Sequence, residues 1–328
     1  MNNRRNYTAF TLNLGNVLIL LVLIGLFISC KKEQSTENEA NIAEGFSILV
    51  NNGNVLVSGV RAEKGNISTK YWINGESTEQ SRFNELVGNQ LAYRQAVDDR
   101  FRTGYLYKDR NGEIQSYRFS QGHNGETNSM FYYQNNSMVR MENDSIGVLT
   151  SVTFYNDKPF FAGSLGKMVS GIAGGISYSP QTAFIWDGNS PLTELVIPAQ
   201  STLFWGVSTI YLNRPDEIYV GGLCGVPMYW KNTEPVVLDK RFGEIWQITE
   251  SGSDIYAVGL INKANSNSTG HTACFWKNGV LNELEDNAQA YGIFIDGKDI
   301  YVTGAIGNVP ASYRPCYWKN GVRIDLPM

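Results

Sequence analysis

The sequence predicts an all-β protein, and three observations support this fold class. The chain contains 33 glycines and 12% aromatic residues, a composition that favours turns and sheets over helices. Short runs rich in Ile, Val, Tyr and Trp recur along most of the chain, with turn residues between them. These runs also follow one another in the same order several times, which indicates an internal repeat.

The last copy of the repeat, residues 291–328, shows its composition most clearly. Asn320 and Gly321 stand between two β-rich runs, and both residue types accept the positive φ of a type I′ hairpin turn. The copy is expected to hold four strands, over residues 291–295, 300–304, 315–318 and 322–326. Because four short strands per repeat are the unit of a β-propeller blade, the sequence predicts a β-propeller.

A large aromatic residue marks the third strand of each repeat and anchors the alignment. These anchors are Trp72, Tyr133, Trp186, Trp230, Trp276 and Trp318. Their regular position favours packing between adjacent blades, and exposed rings that stack on sugars are the alternative. The repeats over residues 45–328 predict about six four-stranded blades.

Other blade counts and a different architecture remain open. Five blades result if the poorly matching repeat around Tyr133 is discarded, and seven if residues 72–133 hide another blade. An open solenoid is the topological alternative, but it requires polar caps that the sequence does not display. Because the first repeat begins with strand one and the last ends with strand four, we expect packing alone to join the first and last blades.

The first strands of three repeats are in register with one another. Ile48, Ile248 and Ile293 each stand seven residues before the start of the second strand. Large aromatic residues lie two positions earlier in the same repeats, namely Phe46, Trp246 and Tyr291. Apolar residues at alternate positions are typical of a half-buried strand.

The N-terminus predicts export. Arg4 and Arg5 precede an apolar run over residues 17–28, the pattern of a signal peptide, although a permanent membrane-spanning anchor is the alternative. The run Leu-Phe-Ile-Ser-Cys that ends at Cys30 resembles the lipobox of bacterial lipoproteins. The resemblance implies that residues 1–29 are removed and that acyl chains on Cys30 attach the protein to a membrane. Residues 30–44 are polar and predict a flexible tether.

The repeat motifs themselves resemble a known group. Tyr-Trp-Lys-Asn-Gly and Ile-Tyr-Val-Thr-Gly are similar to turns and strands of secreted β-propeller repeat lipoproteins of the Bacteroidota, which are mostly uncharacterised. The polar residues 31–34 also resemble those lipoproteins, which implies an outer-membrane location facing the periplasm or the cell exterior. Asp144-Ser145-Ile146 matches the O-glycosylation pattern of such exported proteins, which implies a glycan on Ser145.

No motif in the sequence predicts a catalytic residue, a metal site or a cofactor. Phosphate-binding loops and nucleophile elbows are absent from the sequence, and its two histidines, His123 and His271, do not have a metal-ligand spacing. After Cys30, the remaining cysteines are expected to be buried free thiols, namely Cys224, Cys274 and Cys316. The net charge of −4 and the lack of a basic cluster argue against a nucleic-acid partner.

Binding residues are expected in the connections between second and third strands, which emerge on one face of a propeller. The longest, residues 165–181, is expected to be a loop over the central opening. Candidate contact residues on this face are Tyr178, Asn265, His271, Tyr313 and Arg314. The sequence thus predicts a binding or scaffolding module for a glycan or protein partner. A glycan hydrolase or lyase with its site at the channel mouth and a purely structural envelope component are the alternatives.

Overall fold

The computed structural model describes the chain from residue 42 to its end, within one compact unit, Asn38–Met328. Residues not described in this range are 64–65, 88–91, 97–102, 120–129, 142–145, 171–175, 190, 200, 202, 264–269 and 308–312. In the part that is described, no helix has the length and apolar character needed to span a bilayer.

Six antiparallel sheets, here called blades one to six in chain order, form the described structure. Blade one consists of β1 (Ile42–Asn51), β2 (Asn54–Glu63), β3 (Asn66–Ile73) and β4 (Glu76–Thr78). The short helix α1 (Gln80–Leu86) follows it. Blade two consists of β5 (Ala92–Ala96), β6 (Thr103–Lys108), β7 (Ile114–Phe119), β8 (Phe131–Gln134) and β9 (Ser137–Arg140). Blade three consists of β10 (Gly147–Tyr155), β11 (Lys158–Ser170), β12 (Ile176–Trp186) and β13 (Thr193–Leu195).

The last three blades have four strands each. Blade four consists of β14 (Gly206–Arg214), β15 (Glu217–Leu223), β16 (Pro227–Lys231) and β17 (Glu234–Val237). Blade five consists of β18 (Gly243–Ser251), β19 (Asp254–Asn262), β20 (His271–Lys277) and β21 (Val280–Asp286). Blade six consists of β22 (Ala288–Asp296), β23 (Asp299–Ile306), β24 (Arg314–Lys319) and β25 (Val322–Asp325).

The blades form a closed ring, which confirms the predicted six-bladed β-propeller. Each blade contacts the next in chain order, and β1 of blade one contacts β22, β23 and β24 of blade six. Blade two differs from the prediction because it has five strands rather than four. In the described part of the interval 72–133, the extra residues form α1 and β5 instead of a seventh blade.

The predicted boundary of the tether is wrong for residues 42–44. These residues begin β1, where Glu44 pairs with Val60 of β2. Ala43 is fully buried and Glu44 is 5% exposed. Composition alone predicted a solvated segment here, but the ring encloses it because β1 packs against blade six.

The first strands keep the predicted register but contain a β-bulge. Ile48, Ile248 and Ile293 face Val57, Ala257 and Val302 on the neighbouring strands, as expected. The register then shifts at the aromatic residue two positions earlier, so strict alternation fails at Phe46, Trp246 and Tyr291. A bulge inserts one residue and redirects its side chain.

Each bulge requires a glycine on the opposite strand. A Cβ atom on Gly304 would lie 1.9 Å from the carbonyl oxygen of Gln289, far inside contact distance. The same holds for Gly59 against Glu44, at 1.9 Å, and for Gly259 against Glu244, at 1.8 Å. The glycine that ends each Ile-Tyr-Val-Thr-Gly-like motif therefore permits the close approach of the bulged strand.

The Tyr-Trp-Lys-Asn-Gly motif forms the turn between third and fourth strands. Asn320 and Gly321 have φ values of 51° and 80°, which confirms the type I′ prediction. The Asn320 side chain accepts a hydrogen bond from the backbone N–H of Ile300 at 2.9 Å. Lys319 pairs with Asp299 at 3.2 Å and lies 5.1 Å from the ring centroid of Tyr301. The motif thus ties the third strand of a blade to the second.

The anchor residues differ in burial. Trp72, Trp230, Trp276 and Trp318 are at most 1% exposed and belong to the packed core. Trp186 and Tyr133 are only half-buried. The Tyr133 ring lies 5.2 Å from the guanidinium of Arg118, and its neighbour Tyr132 is the buried residue of that strand.

The predicted loop over residues 165–181 is wrong in its described part. β11 and β12 continue as a paired hairpin up to Ser170 and Ile176. Residues 61–70, the corresponding connection of blade one, are likewise mostly hairpin, with Glu63 paired to Asn66. In these two hairpins the backbone N–H and C=O groups pair with each other, whereas in a loop they would hydrogen-bond to water. Cys224, Cys274 and Cys316 are buried free thiols, as predicted.

Candidate functional site

Polar side chains from three adjacent blades meet inside the propeller. Because successive strands are antiparallel, the start of each first strand lies at the end of the ring that carries the connections between second and third strands. We call this end the upper face. Glu44, Glu244 and Gln289 occupy equivalent positions there, each two residues before the bulge of β1, β18 or β22. The corresponding residues of blades three and four are Val148 and Gly206, so these two blades lack a polar side chain at this position.

A hydrogen-bonded chain joins Glu44 and Gln289 with two tyrosines. The hydroxyl of Tyr291 donates to Oε1 of Gln289 at 2.7 Å, and Nε2 of Gln289 donates to the hydroxyl of Tyr313 at 2.7 Å. The Tyr291 hydroxyl also hydrogen-bonds with Glu44. We call Glu44, Glu244, Gln289, Tyr291 and Tyr313 the central polar cluster.

Burial controls the ionisation of the cluster. Tyr291 is 3% exposed, and burial followed by the charge of Glu44 raises its pKa well above the ordinary value for tyrosine. Burial raises the pKa of Glu244 to about 7, and no interaction with a described residue offsets this effect. The Glu244 carboxyl is therefore close to its protonation midpoint at neutral pH.

Aromatic rings border the cluster. Tyr291 packs edge to face against Phe46, with 5.4 Å between ring centroids, and against Trp246, with 5.5 Å. The interplanar angles are 80° and 77°, so both neighbouring rings stand nearly perpendicular to Tyr291. The Nε1 atom of Trp246 is buried, and no described residue accepts a hydrogen bond from it. The site thus offers an indole donor, carboxyl and amide acceptors, and aromatic surfaces.

The structure places the predicted contact residues at different points. Tyr313 belongs to the central polar cluster. Tyr178 donates to the carbonyl oxygen of Ser164 at 2.7 Å in blade three. Nδ1 of His271 lies 2.9 Å from Oδ1 of Asn262, whereas Arg314 is exposed. Tyr178 and His271 thus hydrogen-bond to neighbouring strands of their own blades. Three further predicted residues lie outside the described structure, namely Cys30, Ser145 and Asn265.

Sequence reasoning missed most of the cluster. Composition places Glu44 in the predicted tether, and the apolar alternation of the first strands does not reveal their polar positions. A signal was nevertheless present, because residues 43–46, 243–246 and 288–291 share a pattern. Each has a small residue, then Glu or Gln, then any residue, then an aromatic residue. Alignment of the first strands on this pattern would have identified Glu244 and Gln289 as equivalent.

Comparison with known proteins shows no family. No family model and no curated protein matches the chain. Among solved structures, the chain is similar to the β-propeller domain of the Trilobed protease from Pyrococcus furiosus, which has an open velcro topology. That match has 10% identity and a TM-score of 0.44, over 88% of this chain and 97% of that chain.

Two further similar structures are longer than this chain. Pyrococcus horikoshii acylaminoacyl peptidase matches at 9% identity and a TM-score of 0.42, over 88% of this chain and 52% of that chain. A mutant of Trypanosoma rangeli sialidase that displays trans-sialidase activity matches at 7% identity and a TM-score of 0.45, over 89% of this chain and 57% of that chain. This chain therefore spans about half the length of either protein. The propeller assignment rests on its own strand order and ring closure.

Proposed function

We propose that this chain is a lipid-anchored envelope protein whose propeller binds a glycan or protein partner at the upper face. One observation carries the proposal: acceptor groups and aromatic rings from three blades converge there, and the buried Nε1 of Trp246 has no acceptor among the described residues. Buried polar atoms in folded proteins normally have a partner. An unpaired donor beside a set of acceptors is therefore suited to a polar ligand.

The binding test uses the full chain in a detergent without a sugar headgroup, because such headgroups compete for glycan sites. The protein is applied to a broad glycan array and crosslinked in native envelopes. Gln289→Met keeps the side-chain length but removes the amide hydrogen bonds, so we expect binding at least about tenfold weaker. Glu234→Gln, at an exposed position on β17, is the control that leaves binding intact. Failure to bind any glycan or crosslink any partner would contradict the proposal.

The proposed envelope location rests on the lipobox-like run that ends at Cys30. Metabolic labelling with an alkyne-modified fatty acid tests it in a bacterial host. Wild-type protein should take up the label, Cys30→Ser should not, and Cys316→Ser should remain labelled, because that thiol is buried. Equal labelling of the Cys30→Ser protein would contradict the lipid anchor.

A glycan hydrolase or lyase is the second candidate, favoured by one observation. With its pKa raised to about 7, Glu244 can donate or accept a proton near neutral pH, and Glu44 supplies a second carboxyl from another blade. An assay for newly formed reducing ends, carried out with any glycan that binds, separates the enzyme from the binding module. Turnover that disappears in Glu244→Gln would establish an enzyme, and binding without turnover would support the binding module.

A further inference from the structure

Two buried carboxyl groups, from the blades on either side of blade six, lie near Tyr291. Glu44 comes from β1 and Glu244 from β18, and both are close enough to act electrostatically on the Tyr291 phenol. Glu44 and Glu244 are both buried, at 5% and 6% exposure. Blades one and five therefore each contribute a buried carboxyl group to the surroundings of Tyr291.

Glu244 in particular lacks a compensating charge within the described structure. No described Lys, Arg or His forms an ion pair with it, and burial is the cause of its altered acidity. An ionised carboxylate in such surroundings is costly unless a cation lies beside it. A ligand that carries a positive charge would remove this cost and gain binding energy from it.

The ligand set favours an organic cation over a metal ion. Among the described residues, no group of three His, Cys, Asp or Glu side chains is arranged to hold a metal. The cluster instead borders on aromatic rings, because Phe46 and Trp246 both pack edge to face against Tyr291. Aromatic faces attract ammonium groups and also pack against the C–H faces of sugars.

The remaining donor distinguishes between classes of organic cation. The buried Nε1 of Trp246 needs an acceptor, which no described residue supplies. A lysine side chain provides an ammonium group but no acceptor beside it. An amino sugar provides an ammonium group, neighbouring hydroxyl oxygens and C–H faces in a single ring. Resting on the binding function proposed above, we infer that the central polar cluster binds a glycan that carries a free amino group.

The test compares two oligosaccharides that differ only in acetylation. Binding of the chitosan hexamer and of the chitin hexamer to the full-length protein is measured by calorimetry at pH 7. The chitosan hexamer, whose amino groups are free, should bind at least about tenfold more tightly than the acetylated chitin hexamer. Glu244→Gln should abolish this preference, whereas Glu234→Gln, the same chemical change at an exposed position, should retain it.

A second variant keeps the test decisive if Glu244→Gln does not fold, as judged by circular dichroism. Trp246→Phe retains an aromatic wall but removes the indole donor, so it should weaken binding of the chitosan hexamer several-fold. Unchanged binding in this variant would contradict the role of the indole.

Other outcomes separate this inference from the proposed function. Equal affinity for both hexamers, or binding only of other glycans, would overturn the amino-sugar inference and leave the binding module in place. Hexalysine serves as a peptide competitor in the same assay. If it binds as tightly as the chitosan hexamer and with the same dependence on Glu244, the inferred ligand is a basic peptide and not an amino sugar. If no glycan binds on the arrays and no partner is crosslinked in envelopes, both the amino-sugar inference and the proposed binding function are overturned.

Discussion

The indole Nε1 of Trp72, in blade one, donates a hydrogen bond to the carbonyl oxygen of Pro327, after the last strand of blade six, at 2.9 Å. The two residues are 255 positions apart. A second bond links the same blades, from the backbone N–H of Ala43 to the carbonyl oxygen of Tyr313 at 3.1 Å. The expectation that packing alone joins the first and last blades is therefore wrong, since hydrogen bonds reinforce the closure of the ring.

Trp72→Phe should destabilise the protein more than Trp276→Phe. Both indoles are almost fully buried, so each substitution removes a similar apolar area. Nε1 of Trp276 has no acceptor among the described residues, whereas Nε1 of Trp72 bonds to Pro327. We expect urea unfolding to show an additional loss of about 1 kcal/mol for Trp72→Phe. Equal losses would mean that the closing hydrogen bond contributes nothing.

Substitutions at Asn320 should separate backbone strain from the side-chain hydrogen bond. Asn320 has a φ of 51° and accepts a bond from the Ile300 N–H. Asn320→Gly loses the bond but accepts the backbone conformation, at a cost of about 1 kcal/mol. Asn320→Ala also incurs the left-handed strain and should cost about 2 kcal/mol. Chemical denaturation should rank stability as Asn, then Gly, then Ala, and a reversed order of Gly and Ala would contradict this account.

Gly304→Ala should be severely destabilising. The added Cβ atom would lie 1.9 Å from the Gln289 carbonyl oxygen, so the bulged strand must move, at a cost of about 3 kcal/mol. Gly53→Ala is the control, because its φ is 76° but no atom lies within 4 Å of the new Cβ. Only the backbone cost of about 1 kcal/mol applies there. Thermal or chemical unfolding measures both, and similar losses would show that the strands accommodate the methyl group.

Glu244 should make stability depend on pH. Burial raises the pKa of this carboxyl to about 7 from 4.5, so the folded protein keeps a proton that the unfolded chain releases. The free energy of unfolding should therefore fall by about 3 kcal/mol as pH rises from 4.5 to 7. Glu244→Gln cannot ionise and should lack this decrease.

The measurement compares urea unfolding of wild-type and Glu244→Gln protein at pH 4.5 and above pH 7. Other groups titrate in both proteins, so the difference between the two curves isolates Glu244. Glu234→Gln, which is exposed, should follow the wild type. A wild-type curve that runs parallel to that of Glu244→Gln would show that Glu244 has an ordinary acidity.

The repeat, the number of blades, the turns and the register of the first strands follow from sequence. Residues such as Ile293 and Asn320 reveal their roles because hairpin pairing is local, with period-two alternation and Asn-Gly turns. Two local features escaped prediction. The bulge at Tyr291 interrupts an alternation that reads as regular, and the hairpin arm up to Ser170 has the Gly- and Ser-rich composition of a loop.

The set of polar residues that share a site becomes visible once the ring is closed. Glu44 and Tyr291 are 247 positions apart in the sequence, yet they hydrogen-bond because ring closure sets blade one beside blade six. In a closed ring, the first and last blades are neighbours although they are far apart in the sequence. The burial of a carboxyl group likewise depends on residues from other blades that pack around it. Each blade can therefore be predicted from sequence because its contacts are local, whereas the central polar cluster cannot, because its contacts are between blades.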